Sequence, residues 1–144
     1  MGQVQIGANV SDILADGLDG IILKQNISDK IGGVALDATG FPNDYIRTGH
    51  LVIYNPAVAD SHKPMPLNAQ GTAYATLPEN FQYYGVVVNS VRKQGNGFGV
   101  GVCHRGEMNP AVKNTANGVM GIDGALLTAV KTALPLLVLR KDNE

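Results

Sequence analysis

The sequence is poor in cysteine and in charged residues. Cys103 is the only cysteine among 144 residues, so no disulfide can form within the chain, which fits a reducing compartment. Asp, Glu, Lys and Arg make up 16% of the residues, whereas an average globular domain has about 25%. A small domain with so little charge often covers part of its surface with another chain, so we expect a protein partner.

The sequence also lacks the patterns that indicate nucleic-acid or membrane binding. The formal net charge is −1 and the basic residues are scattered, so we expect no nucleic-acid partner. The N-terminus has neither the basic nor the apolar region of a signal peptide. Pro135 interrupts the longest apolar run, residues 133–139, which is too short to span a bilayer. We therefore expect no membrane partner.

The residues that are abundant favour one domain built from short strands. Hydrophobic residues make up 44% of the chain, enough for a core, and 18 glycines supply many turns. The predicted fold class is mainly β with one or two short helices (α+β). We expect a compact, short-strand β-barrel or tulip-like domain over residues 20–144, preceded by a flexible N-terminal arm, residues 1–19.

Alternating and β-branched runs predict strands over residues 20–27, 31–36, 50–54, 72–77, 83–92, 98–104 and 136–140. Residues 93–97, with Asn96-Gly97, predict a tight hairpin between two of these strands. A short helix is expected over residues 11–18. A second helix is expected from Asp123 to Pro135, because apolar residues recur there at helical spacing.

No group of residues predicts catalysis. His104 follows Cys103 on a strand, so the two side chains point to opposite faces and cannot act as base and nucleophile. Cys103 is therefore expected to be a buried structural residue. His50, His62 and His104 show no metal-ligand spacing, and a solvated or hydrogen-bonded role is the better interpretation for each. We predict no enzyme activity, no metal and no cofactor.

Glycine recurs at every second position from Gly95 to Gly101. The spacing and the hairpin context differ from those of a dinucleotide-binding loop. Alternating glycines flatten one face of a strand, so another element can pack closely on it. Either a neighbouring subunit or the protein's own helix would fit. The candidate subunit-contact residues are Gly97, Gly99 and Gly101.

The N-terminal arm has two interpretations. Val4 and Ile6 alternate with Gln3 and Gln5, as in a strand that could be added to the sheet edge of a partner. A frayed terminus is the alternative. The Asp29-Lys30 pair is found in the hairpin of lipoyl carrier domains, but a dipeptide is too short to indicate that family, and an ordinary charged turn is the better interpretation.

Four segments, taken in order, resemble the head decoration proteins of tailed bacteriophages, which stabilise the capsid. The segments are residues 48–54 (TGHLVIY), 84–91 (YGVVVNSV), 102–109 (VCHRGEMN) and the helix-to-strand unit over residues 123–140. The order and spacing of these segments carry the resemblance, which covers about two thirds of the chain. Residues 20–44 form a longer stretch than the family pattern has at this place.

The resemblance implies a non-enzymatic virion protein that binds the outer surface of the capsid and stabilises the expanded shell. It further implies a homotrimer, made in the bacterial host cytoplasm, whose N-terminal arms (Gln3, Val4, Gln5 and Ile6) bind the major capsid protein. Two alternatives stay open. One is another virion module from the tail, fibre or baseplate. The other is a small enzyme or a carrier domain modified at Lys30.

Overall fold

The computed structural model describes residues 21–29, 33–94 and 96–141. The predictions for the N-terminal arm, for a helix over residues 11–18 and for Lys30 lie outside these residues. The described strands are β1 (Leu23–Asp29), β2 (Val34–Asp37), β3 (Tyr45–Ile46), β4 (Leu51–Tyr54), β5 (Lys63–Pro64), β6 (Gln82–Val87), β7 (Val91–Arg92), β8 (Asn96–Val100), β9 (Val102–Met108) and β10 (Leu137–Leu139). The helix α1 spans Gly124–Ala133, and a single 3-10 turn spans Thr115–Asn117.

The main sheet has six strands, five of them in the order β1-β9-β6-β4-β5. Strand β10 also pairs with β9, in parallel, whereas the other pairs in this sheet are antiparallel. Two smaller ribbons, β2 with β8 and β3 with β7, complete the described strands. The predicted fold class, mainly β with a short helix, is confirmed. The described sheets stay open, and none of them closes into a barrel.

Both faces of the main sheet are covered. Successive side chains on a strand point to opposite sides, so neighbouring residues of β4 and β6 pack into different layers. On one face, Leu51 and Val86 pack against α1 through Val130. On the other face, Val52 and Val87 pack beneath the β2–β8 ribbon. The molecule is therefore layered, with α1 on one side of the main sheet and the β2–β8 ribbon on the other.

The strand predicted over residues 83–92 is divided into β6 and β7. Thr48 causes the division: its hydroxyl donates to the Val88 carbonyl at 3.0 Å, and its N–H donates to the Ser90 hydroxyl at 3.0 Å. These bonds hold residues 88–90 out of the strand path.

The predicted hairpin at residues 93–97 is wrong. Strands β7 and β8 do not pair with each other; β7 pairs with β3, and β8 pairs with β2. The predicted strands over residues 83–92 and 98–104 do pair, antiparallel, but through β6 and β9, with Val86 opposite Cys103 and Val87 opposite Val102. The intervening residues form a long excursion, which is closed where the Val88 N–H donates to the Gly101 carbonyl at 3.0 Å.

The strand predicted over residues 72–77 is also wrong, since only Tyr74 makes a bridge there, with Leu67. The Tyr74 hydroxyl instead accepts a hydrogen bond from the Leu51 N–H at 3.1 Å. The helix after Asp123 and the closing strand are confirmed as α1 and β10. Among the described residues, no helix combines the length and the hydrophobicity that crossing a membrane requires.

Candidate interaction surface

The outer face of the β2–β8 ribbon is flat and open. In its register, Ala35 lies opposite Gly99, and both residues are exposed, whereas Val34 and Val100 point inward and are buried. A Cβ atom built at Gly99 would meet no other atom within 4 Å. We name this outer face, centred on Ala35 and Gly99, the ribbon face.

The structure separates the three glycines that the sequence groups together. Gly97 and Gly99 belong to β8, and Gly99 faces open space. Gly101 lies between β8 and β9, where an added Cβ would contact Val88 at 3.6 Å. Gly101 therefore faces its own chain. Helix α1 lies on the other side of the main sheet, so no described helix covers the ribbon face.

Three aromatic rings form a cluster next to the ribbon. The His62 ring is stacked on the Tyr54 ring, with centroids 5.5 Å apart, and meets the Tyr84 ring edge-on at 4.4 Å. The two tyrosine rings also meet edge-on, at 5.2 Å. All three side chains are partly exposed. We name them the aromatic cluster.

Asp37 connects the ribbon face with the aromatic cluster. It ends β2, and its N–H donates to the His62 carbonyl at 3.0 Å. Its carboxylate accepts from the Thr39 N–H at 3.0 Å, and the hydrogen bonds from Thr39 lower the pKa of this carboxyl group. A cleft of about 130 Å³ opens beside Asp37, lined on one side by residues 37–42 and on the other by Lys63, Pro64, Pro66 and Leu67.

This arrangement suits contact with a protein surface. Partly exposed tyrosines provide a large contact area while losing little side-chain entropy, and they are enriched in protein interfaces. A strand face on which Ala35 lies opposite Gly99 lets another backbone approach closely. The ribbon face, the aromatic cluster and the cleft beside Asp37 together form the candidate interaction surface.

The histidine of the 48–54 segment has a structural role. His50 is 3% exposed, and its Nε2 donates to the Met65 carbonyl at 2.9 Å. The rings of Phe41 and Tyr74 meet the imidazole edge-on, at 5.2 and 5.0 Å. Burial lowers the pKa of His50 to about 4, although the bond to Met65 opposes this shift. His50 is therefore neutral near pH 7 and held in one orientation.

Sequence reasoning missed Arg47, which is 1% exposed. Its Nε donates to the Ser90 hydroxyl at 3.0 Å, and a terminal guanidinium nitrogen donates to the Asn117 carbonyl at 2.8 Å. Arg47 thus joins the excursion after β6 to the 3-10 turn. Nothing in the local sequence distinguishes it from a surface arginine, because its partners lie 43 and 70 residues away.

Cys103 is fully buried, as the sequence predicted, and its thiol donates to the Arg105 carbonyl at 3.3 Å. His104 is partly exposed on the same strand. Across the part of the chain that the structure describes, no three His, Cys, Asp or Glu side chains are grouped as a metal site would need. His62 belongs to the aromatic cluster.

Comparison with protein-family models, with curated proteins and with solved structures finds no match for this chain.

Proposed function

We propose that this chain is a non-enzymatic structural protein of a tailed-bacteriophage virion, which binds the outer surface of the capsid and stabilises the expanded shell. The order of the four sequence segments supports this assignment. The observation that carries it is the ribbon face, because Gly99 on β8 faces space that no described part of the chain fills.

In this proposal, the ribbon face contacts a neighbouring copy of the chain in a homotrimer. A close approach of two backbones needs small residues, and Ala35 and Gly99 meet this need. The aromatic cluster lies beside the ribbon through Asp37 and His62, where it would enlarge the contact with the neighbouring copy or with the shell.

The partner on the virion is the major capsid protein. Residues Gln3, Val4, Gln5 and Ile6 bind it by adding a strand to its sheet, with the apolar side chains of Val4 and Ile6 on one side. Three such segments on one trimer raise the effective concentration for the second and third contacts, so weak single contacts give firm attachment.

Purified virion parts provide the test. The full-length protein is mixed with expanded capsid shells and, separately, with purified tails, and bound protein is measured after sedimentation. We expect saturable binding to expanded shells and none to tails. Binding to tails alone would contradict the proposal and favour the tail, fibre or baseplate alternative.

A further inference from the structure

The core contains a small cavity beside His50. The centre of a water molecule can occupy about 10 Å³ of it, which is the least space that holds one water. Apolar side chains form most of the wall, and His50 and Asn109 also line it. The polar groups of three other lining residues, Arg47, Thr48 and Tyr74, bond to other groups of the protein.

One nitrogen of the His50 ring has no partner among the described residues. Nε2 carries the ring proton and donates it to the Met65 carbonyl, so Nδ1 of the neutral ring is a hydrogen-bond acceptor. Met65 and Phe41 contact other parts of this ring, and neither of them lines the cavity. The side of the ring that faces the cavity is therefore the side of Nδ1.

Asn109 brings an unused donor to the same cavity. Its Oδ1 accepts from the Ala111 N–H at 2.9 Å. Because the accepting atom must be the oxygen, the other atom is the amide nitrogen, Nδ2, which has two protons to donate. No described group accepts from Nδ2. Ala111 does not line the cavity, so Nδ2 is the amide atom on the cavity side.

Both atoms border space that water can enter, although His50 is only 3% exposed and Asn109 only 6%. Among the described residues, every side-chain nitrogen or oxygen that is shut off from water has a hydrogen-bond partner. Nδ1 and Nδ2 have no such partner, so each must touch space accessible to water. The cavity is lined by both residues. Without a hydrogen bond there, either atom would destabilise the fold.

We propose that this cavity is the binding site of one structural water molecule. The water donates a hydrogen bond to His50 Nδ1 and accepts one from Asn109 Nδ2, so each atom gains the partner that it lacks. His50 precedes β4 and Asn109 follows β9, so the water joins two segments that are distant in the sequence.

The water site goes beyond the proposed function and does not rest on it. No residue of the cavity wall belongs to the candidate interaction surface. The site acts instead on the core, where the water fixes the neutral His50 ring from the side opposite to the Met65 carbonyl.

NMR of the free, full-length protein tests the site. A water that stays bound while the protein tumbles gives NOE and ROE cross-peaks of opposite sign. We expect this pair of cross-peaks between water and Hε1 of His50, the carbon-bound ring proton next to Nδ1. The same proton of His104, which is partly exposed, should not show the pair. The nitrogen chemical shift of His50 Nδ1 should be that of a hydrogen-bonded imidazole.

Two variants test the role of the amide. Asn109→Leu removes Nδ2 at similar volume, so a variant that keeps the native fold should lose the water cross-peaks at His50, and its Nδ1 shift should move to the unbonded value. Asn114→Leu is the matched control, because Asn114 lies in the same segment, does not cap the 3-10 turn with its side chain and does not line the cavity. It should keep both signals.

A crystal structure of the wild type is a second measurement that needs no variant. One ordered water should lie within hydrogen-bond distance of both His50 Nδ1 and Asn109 Nδ2. The proposal would be overturned if no ordered water lay between these atoms and His50 showed no water cross-peaks. Unchanged cross-peaks in a folded Asn109→Leu protein would also overturn it.

Discussion

Among single residues, the buried histidine has the most direct consequence for stability. His50 is buried between Phe41 and Tyr74, and this burial favours the neutral form of its ring in the fold, although its bond to the Met65 carbonyl opposes the effect. Burial also raises the pKa of the Tyr74 hydroxyl, which accepts from the Leu51 N–H. Both rings therefore stay uncharged near pH 7, and both complete hydrogen bonds of the backbone around β4.

The first prediction concerns the pH dependence of stability. The pKa of His50 is about 4 in the fold and 6.5 in the unfolded chain, so acid protonates the unfolded chain first. The contribution of neutral, buried His50 to the free energy of unfolding is complete above pH 6.5 and is lost as the pH falls toward 4. The loss is about 3 kcal/mol in the free energy of unfolding. Urea denaturation at a series of pH values measures this loss.

His50→Gln should flatten the plot of unfolding free energy against pH between pH 6.5 and 4. The control His104→Gln, at a partly exposed site, should leave that slope as it is in the wild type. An unchanged slope in His50→Gln would show that His50 does not cause the pH dependence.

The second prediction compares two glycines in strands. A Cβ at Gly85 would lie 2.5 Å from the Cys103 carbonyl oxygen, whereas a Cβ at Gly99 meets nothing within 4 Å. Gly85→Ala should therefore lower the free energy of unfolding by about 1–3 kcal/mol. Gly99→Ala should leave it unchanged or raise it by up to about 1 kcal/mol, since alanine costs less backbone entropy. Denaturant titration compares the two variants, and equal losses would show that Gly99 is packed.

Among the elements, the excursion between β6 and β9 is the feature that shapes the surface. It carries β8 onto β2 and thereby builds the ribbon face. Its start is held by Ser90, whose hydroxyl accepts from both Arg47 Nε and the Thr48 N–H at 3.0 Å.

The third prediction tests this anchoring. Ser90→Ala removes one acceptor from two buried donors, so it should lower the free energy of unfolding by about 1–3 kcal/mol. Thr132→Ala is a suitable control, because it likewise removes a hydroxyl that makes a hydrogen bond, in this case donated to the Thr128 carbonyl on the exposed side of α1. Chemical denaturation of both variants gives the difference. A loss in Ser90→Ala no larger than in Thr132→Ala would mean that Ser90 does not anchor the excursion.

The sequence predicted those elements whose signals lie within the element itself. It did not predict those that depend on residues far away in the sequence. Helix α1 and strand β10 were predictable because apolar spacing and Pro135 are local signals. The partners of β7 and β8 were not, because Asn96-Gly97 marks a turn without saying which strands it joins. The alternation around Tyr74 predicted a strand wrongly, since that side chain turns toward the main sheet, where its hydroxyl accepts from the Leu51 N–H, 23 residues away in the sequence.

The candidate site was predictable to a similar extent. Alternating glycines indicated a flat strand face, and the structure places Gly99 on such a face while turning Gly101 toward Val88. The aromatic cluster could not be foreseen, because Tyr54, His62 and Tyr84 come from separate segments and meet only through the sheet.

For the whole molecule, the fourth prediction is the oligomeric state. We expect a homotrimer, at least when the protein is bound to shells, because the chain is poor in charge and presents an open ribbon face. Native mass spectrometry and light scattering measure the free state, and cryo-electron microscopy of decorated shells measures the bound state. A monomer in both states would refute this prediction.

Binding of surface variants to expanded shells tests whether the ribbon face is the contact used in assembly on the shell. Gly99→Arg places a long charged side chain on the ribbon face, in space that is empty in the single chain. Val58→Arg is the matched control, because Val58 is 55% exposed and lies in a turn after β4. We expect wild type and Val58→Arg to saturate shells at the same protein concentration. For Gly99→Arg, with its trimer contacts broken, the midpoint should rise by roughly tenfold or more. If a folded Gly99→Arg protein bound at the wild-type midpoint, the ribbon face would not be the contact used in assembly.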